Sequence, residues 1–166
     1  TDSTNTGDLG TKTGWTKVLE IDNRVTIGIY WKLATENADA VTGDTWDDMF
    51  ANNRNYYVWV GAYSGCDTSS PVDASASGTN GFNPNYSQSI TTQTNNAMIV
   101  AAFGHDRTDK TGTFSDGTTR VSTYFRSDGY IIINEKIEAT AGSHTRSCTM
   151  TANVSGATSA IALKPA

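Results

Sequence analysis

The 166-residue sequence predicts an all-β fold. The expected architecture is a two-sheet antiparallel β-sandwich, jelly-roll-like or immunoglobulin-like, of about nine or ten strands and essentially no helix. Three observations point there. Charged residues make up only 17% of the chain, and Thr, Ser, Asn and Gly take their place. That composition favours strands and polar turns over helices. Short alternating apolar runs recur, each ended by a Gly-, Asn- or Asp-containing turn. No stretch carries a sustained helical period; residues 47–53 could form one turn at most.

The strands follow in order. Residues 16–21 alternate, Asp22-Asn23-Arg24 turns the chain, and residues 25–33 run back as a long strand, giving a hairpin. Residues 35–55 are polar, with one short strand expected near 42–46. Residues 56–64 (YYVWVGAYS) read as a central strand, and residues 65–86, rich in Ser, Gly, Asn and Pro, as a long loop. Residues 87–92 alternate weakly. Asn95-Asn96 leads into a buried strand at 98–103, and Thr113-Phe114 offers a short pairing. Residues 119–126 and 130–138 form a second hairpin about Ser127-Asp128-Gly129. In its second arm, Glu135 interrupts the apolar positions Ile131, Ile133 and Ile137, which reads as pleated alternation. After the turn Ala141-Gly142-Ser143, residues 144–152 and 157–163 supply the last two strands. No linker divides residues 1–166, so a single domain is expected.

Charge and hydropathy exclude two classes of partner. The net charge of −5 repels phosphate backbones, and no basic cluster occurs, so nucleic acid is not expected. No apolar run approaches the roughly 18 residues of a membrane-spanning helix.

The residues that could carry chemistry are few. His105 and His144, the two histidines, are far apart in sequence and in polar settings. Gly61-Ala62-Tyr63-Ser64-Gly65 resembles a nucleophile elbow, but its Ser stands fourth rather than third and no helix follows. Asp44, Asp47 and Asp48 cluster in one polar segment, and Asp106 and Asp109 in another, where solvated acids are ordinary. No cofactor is expected; the oxygen-rich run at 42–48 is the one candidate calcium loop, without EF-hand spacing. Tyr57, Trp59, Gly61 and Tyr63 share a face in the expected central strand. They form either a sugar-stacking platform or a large-residue core face, the second being the ordinary role of strand aromatics. Trp46, Phe82 and Tyr86 fall in expected loops and are the candidate ligand contacts. Cys66 and Cys148 are either a disulfide closing a long loop or two buried thiols. No catalytic residue and no metal ligand is assigned.

Several landmarks coincide with a known module. They are Gly14-Trp15-Thr16, Ile29-Tyr30-Trp31-Lys32-Leu33-Ala34, the run Ala62-Tyr63-Ser64-Gly65-Cys66-Asp67-Thr68-Ser69-Ser70-Pro71-Val72-Asp73-Ala74, Ala139-Thr140-Ala141-Gly142-Ser143, and Ala160-Ile161-Ala162-Leu163-Lys164-Pro165. From about Gly14 onward the chain resembles a β-sandwich module of phage virion structural and fibre proteins and of bacterial surface proteins. Such modules often have an apolar residue where Cys66 stands. The resemblance implies no activity. It implies a non-enzymatic structural or adhesion role on a virion or outside the cell, as a capsid decoration, tail or fibre component. Partners would be other virion or surface subunits, a host glycan, or further copies in a homo-oligomer. The alternative is a carbohydrate-binding domain of a secreted or surface protein. Similar modules place an earlier strand before Gly-Trp-Thr, whereas residues 1–13 here read as polar loop, so a missing first strand is expected.

Overall fold

A computed structural model describes residues 9–34, 57–125 and 129–166. Among them are eight strands and no helix: β1 (Thr16–Asn23), β2 (Val25–Trp31), β3 (Val72–Thr92), β4 (Ala97–His105), β5 (Gly112–Phe114), β6 (Thr118–Phe125), β7 (Gly129–Glu138) and β8 (Gly142–Leu163). β1 and β2 form a two-stranded sheet. The other six form one antiparallel sheet in the order β3-β8-β4-β7-β6, with β5 paired to β8.

Both expected hairpins form. β1 and β2 pair from Thr16↔Trp31 to Asn23↔Val25, with Arg24 alone at the tip at φ 64°. β6 and β7 pair from Thr118↔Glu135 to Phe125↔Gly129. The expected strand at 42–46 and the turn residues 127–128 lie outside the described residues.

Two expectations are overturned. Residues 57–63 are not a strand, although their alternation is strand-like. Residues 72–86 are not loop but most of β3, which pairs with β8 along its whole length. The alternation there is real but built from small residues. Ala74 and Ala76 pack against the core while Ser75 and Ser77 face out. Small side chains give a weak hydrophobic signal, and backbone pairing with β8 supplies the rest. Likewise 144–152 and 157–163 are one continuous strand, β8. With these changes, eight strands stand among the described residues against the nine or ten expected of the whole chain.

The length of β3 and β8 sets the architecture. A straight strand of 22 residues would span roughly 70 Å. Yet Asp73, near the start of β3, accepts hydrogen bonds from Gln93 N (2.6 Å) and Thr94 Oγ1 (2.9 Å), just past its end. The β3–β8 ribbon is therefore doubled back on itself. The bend falls where register slips between Asn80, Asn83 and Asn85 on β3, opposite Thr149 to Val154 on β8. Such bulges sharpen strand bending. The bend is held from outside by Thr151 N donating to Thr111 O at 2.8 Å.

The even-numbered face of the ribbon lines the inside of the fold. Ala74, Ala76, Tyr86 and Ile90 of β3, and Cys148, Met150, Val154, Ala160 and Ala162 of β8, share one core cluster. Ile99, Ala101 and Phe103 of β4, Phe114 of β5, and Tyr130 and Ile132 of β7 complete it. The opposite face of the same sheet builds a second cluster. Val100, Ala102, Ile133, Ala157 and Ile161 are covered there by Val18 and Ile21 of β1, Val25, Ile27 and Ile29 of β2, and by Trp59 and Tyr63. β4 is apolar on both faces because it is buried on both, which is why its sequence is a continuous apolar run.

Arg146 of β8, 1% exposed, reaches from one half of the doubled ribbon to β7. It bonds Asn134 Oδ1 and Asp116 O and pairs with Asp116 Oδ1 at 2.6 Å. Asp116 also binds Lys136 at 2.8 Å, and Lys136 binds Glu138 at 3.0 Å. These partners offset the cost of burying a guanidinium.

At Gly156, beside the bend where β8 pairs with β4, a Cβ would collide with Gly104 O and stand 2.6 Å from the Tyr86 hydroxyl. No other residue fits there. Gly156→Ala is expected to cost roughly 3 kcal/mol or more in urea unfolding. Gly81→Ala, with nothing within 4 Å of the added carbon, should stay within about 0.5 kcal/mol of the parent. Equal midpoints for the two would refute the close approach.

His105 is fully buried and stacks on Tyr130 at 5.2 Å. Its Nδ1 accepts the Arg107 N–H at 3.1 Å, and its Nε2 has no partner. Burial pushes its pKa down from 6.5 to about 4, with Asp106 partly opposing. The unfolded chain then binds the proton more readily, so this group's contribution is present above pH 6.5 and is lost as pH falls toward 4. Between neutral pH and roughly pH 4.5 the loss is about 2–3 kcal/mol. Urea midpoints across that window should fall in the parent and stay nearly level in His105→Gln.

Candidate functional site

Among the described residues, the second core cluster is left uncovered at one end. β7 carries Ile131, Ile133, Glu135 and Ile137 with the same parity. The first two enter the cluster, and Glu135 follows them onto the buried face at 5% exposure. Glu135, the residue that interrupts this apolar series in the sequence, therefore stands on the apolar face itself. On β6 the register shifts between Thr119↔Asn134 and Val121↔Ile133, leaving Arg120 as the extra residue of a bulge. A bulge re-aims its side chain, and Arg120 Nε donates to Glu135 Oε2 at 2.5 Å. From the segment before β3, the Tyr63 hydroxyl donates to Glu135 Oε1. Burial, and then the bond to the carboxylate, raise the Tyr63 pKa well above the usual tyrosine range, so it remains a donor.

These three groups sit in a cleft of about 300 Å³ also lined by Trp59, Gly61, Ala62 and Met98. The missing side chain at Gly61 leaves the space into which the Trp59 and Tyr63 rings converge; a Cβ there would lie 2.6 Å and 3.0 Å from them. Both rings also pack on the second cluster, so the core-face role applies, and the same residues form a cleft wall. The carboxylate and guanidinium neutralise each other. The cleft therefore offers an aromatic wall, a buried acceptor and a half-exposed cation with no net charge.

The candidates read from sequence are scattered. Phe82 is 71% exposed but lies on β3, beside the bend, rather than in a loop. Tyr86 is buried at 1%, tilted against Phe103 at 6.2 Å, and is a core residue rather than a ligand contact. Its neighbours are apolar because its parity on β3 points it inward. Trp46 and the calcium-loop residues 42–48 lie outside the described residues. Among the described residues no three His, Cys, Asp or Glu side chains converge on one point. Asp109 is paired with Lys110 at 2.6 Å.

Glu135 and Arg120 were missed. The usable signal was a lone charge on the apolar parity of β7; nothing local marked Arg120, because its bulge exists only in the pairing of β6 with β7.

Two resemblance-bearing runs meet in space. Asp67 N donates to Lys164 O at 2.9 Å, Cys66 bridges Pro165, and Lys164 Nζ pairs with Asp67 Oδ2 at 2.9 Å. Asp67 also caps Ser69 and Ser70, and the Lys164 and Ser69 bonds hold its carboxyl well below the usual range.

Of the two cysteine states left open by sequence, the structure holds free thiols. Cys66 is half-buried beside the chain end. Cys148 is buried on β8, opposite Tyr86 and Phe114, and burial pushes its pKa up to about 12.

Scans against protein-family models, curated proteins and solved structures find no match to this chain.

A thiol titration at neutral pH checks the cysteine assignment. One group, Cys66, should label in the native protein, and Cys148 only in denaturant. Labelling of neither thiol in denaturant without a reductant would mean a disulfide.

Proposed function

We propose that this chain is a non-enzymatic structural and adhesion module, a single-domain jelly-roll β-sandwich that works by packing against other subunits. In this reading the doubled β3–β8 ribbon is the jelly-roll framework. The first half of β3, the second half of β8, β4, β7 and β6 would form one sheet, and the remaining halves with β5 the other. The setting that goes with it is a phage virion, as capsid decoration, tail or fibre component, or another extracellular surface.

The observation that carries the proposal is the free edge of β3. β3 has 21 residues and pairs only with β8, so among the described residues its outer edge is open. Edge strands of proteins that stay monomeric are usually blunted by Lys and other charges, Pro and bulges. This edge has bulges at its bend, but in 21 residues it carries one charge, Asp73, and one proline, Pro84. The exposed residues on either side of the bend, among them Ser75, Ser77, Thr79, Ser87 and Ser89, are small and uncharged, which suits strand addition or close packing by a neighbour. Exposed Phe82 lies on the same strand.

Size-exclusion chromatography with light scattering tests the reading. A defined homo-oligomer, or co-migration with particles from the native source, is expected. Ser77→Lys with Ser87→Lys, both exposed on β3, should reduce the oligomer to monomer. A parent protein that is monomeric at every concentration and binds no particles would refute it.

A second reading, a carbohydrate-binding domain of a secreted or surface protein, is favoured by the cleft at Glu135.

A further inference from the structure

We infer that the cleft between Trp59, Tyr63, Arg120 and Glu135 is a binding site for a neutral, polyhydroxylated ligand about the size of one sugar ring, that is, a saccharide unit. The inference rests on the adhesion part of the proposed function and not on the oligomer.

The chemistry of the walls selects the ligand. Glu135 is buried to 5% exposure, and its two oxygens take one bond each, from Tyr63 and Arg120. A carboxylate accepts at about four positions, so acceptor capacity is left over inside the cleft. Arg120 spends only Nε on Glu135, and its side chain is 53% exposed, so its terminal N–H groups are placed to donate to a ligand. A hydroxyl is the group that both donates to a carboxylate and accepts from a guanidinium. Adjacent hydroxyls on one ring would use both.

Charge and shape narrow the choice further. The Glu135–Arg120 pair is neutral, so a ligand with a formal charge would enter without compensation. A wholly apolar ligand would cover the carboxylate without bonding it, which is costly. Trp59 and Tyr63 converge over Gly61 and give the C–H face of a ring an aromatic wall. A cleft of about 300 Å³ is at the small end of ligand sites.

A packing role alone explains less. Ile131 and Ile133 show that this face of β7 accepts aliphatic residues. A buried carboxylate at the next inward position costs desolvation that an aliphatic residue would not.

The test uses saturation-transfer NMR on the whole folded chain with methyl glycosides of glucose, galactose, mannose and N-acetylglucosamine, and with glucuronate as the charged control. At least one neutral glycoside should show ring-proton saturation and outcompete glucuronate. Arg120→Ala should weaken it at least tenfold. Ala62→Trp narrows the cleft mouth without touching the ion pair and should do the same if Arg120→Ala unfolds. No transfer to any neutral glycoside, or transfer unchanged in a folded Ala62→Trp, overturns the inference. Light scattering on the same samples reads the assembly separately. An oligomer without sugar response removes the cleft alone, and a sugar-binding monomer removes the assembly alone.

Discussion

The structure depends on one constraint: two strands too long for the molecule must fold double together. β3 and β8 hold 21 and 22 residues and stay paired through the bend. Because pairing resumes in phase beyond the slipped register of the bend, the even-numbered face stays inside on both sides of it. That face becomes a core only because the ribbon closes on it. Where β8 leaves the bend beside β4, at Gly156, even one added carbon has no room between Gly104 O and the Tyr86 hydroxyl.

Closure also explains the polar residues inside. Arg146 and Asn134 belong to strands that are not neighbours in the sheet, yet they bond across the interior. Asp116, from the turn between β5 and β6, completes the contact through both its carbonyl and its carboxylate. Removing one partner of a buried charge costs more than the pair contributes, so this cluster penalises any other way of folding the ribbon.

The second core cluster has a different character. It is roofed by the β1–β2 hairpin and by two aromatic residues from an irregular segment, and the hairpin tip is tied down by Asn23 Nδ2 donating to Gly156 O at 2.9 Å. Among the described residues, this roof of separate pieces leaves a gap where they end. Glu135, Arg120 and Tyr63 occupy that gap. The same unevenness that leaves a core incomplete thus gathers a carboxylate, a cation and two aromatic rings in one place.

The all-β class, the absence of helix among the described residues, and both hairpins were legible in the sequence, because each rests on contacts between near neighbours: β-branched alternation, an Asn or Gly turn, and return. β4 was legible because burial on both faces writes a continuous apolar run. The strand character of 72–86 was not, since its alternation is Ala against Ser and its pairing partner lies some 80 residues away. The run at 57–63 was misread for the converse reason: it has the pattern of a strand but no strand beside it. Tyr86 was assigned to a loop, and its inward place on β3 comes from register, which pairing fixes and local sequence does not. The sequence by itself determined which stretches could be β and which faces were apolar. The tertiary structure alone decided that two of them were single folded strands, that Arg120 and Tyr63 meet Glu135, and that an open edge and a cleft remain, because each of these depends on long-range pairing of residues distant in the chain.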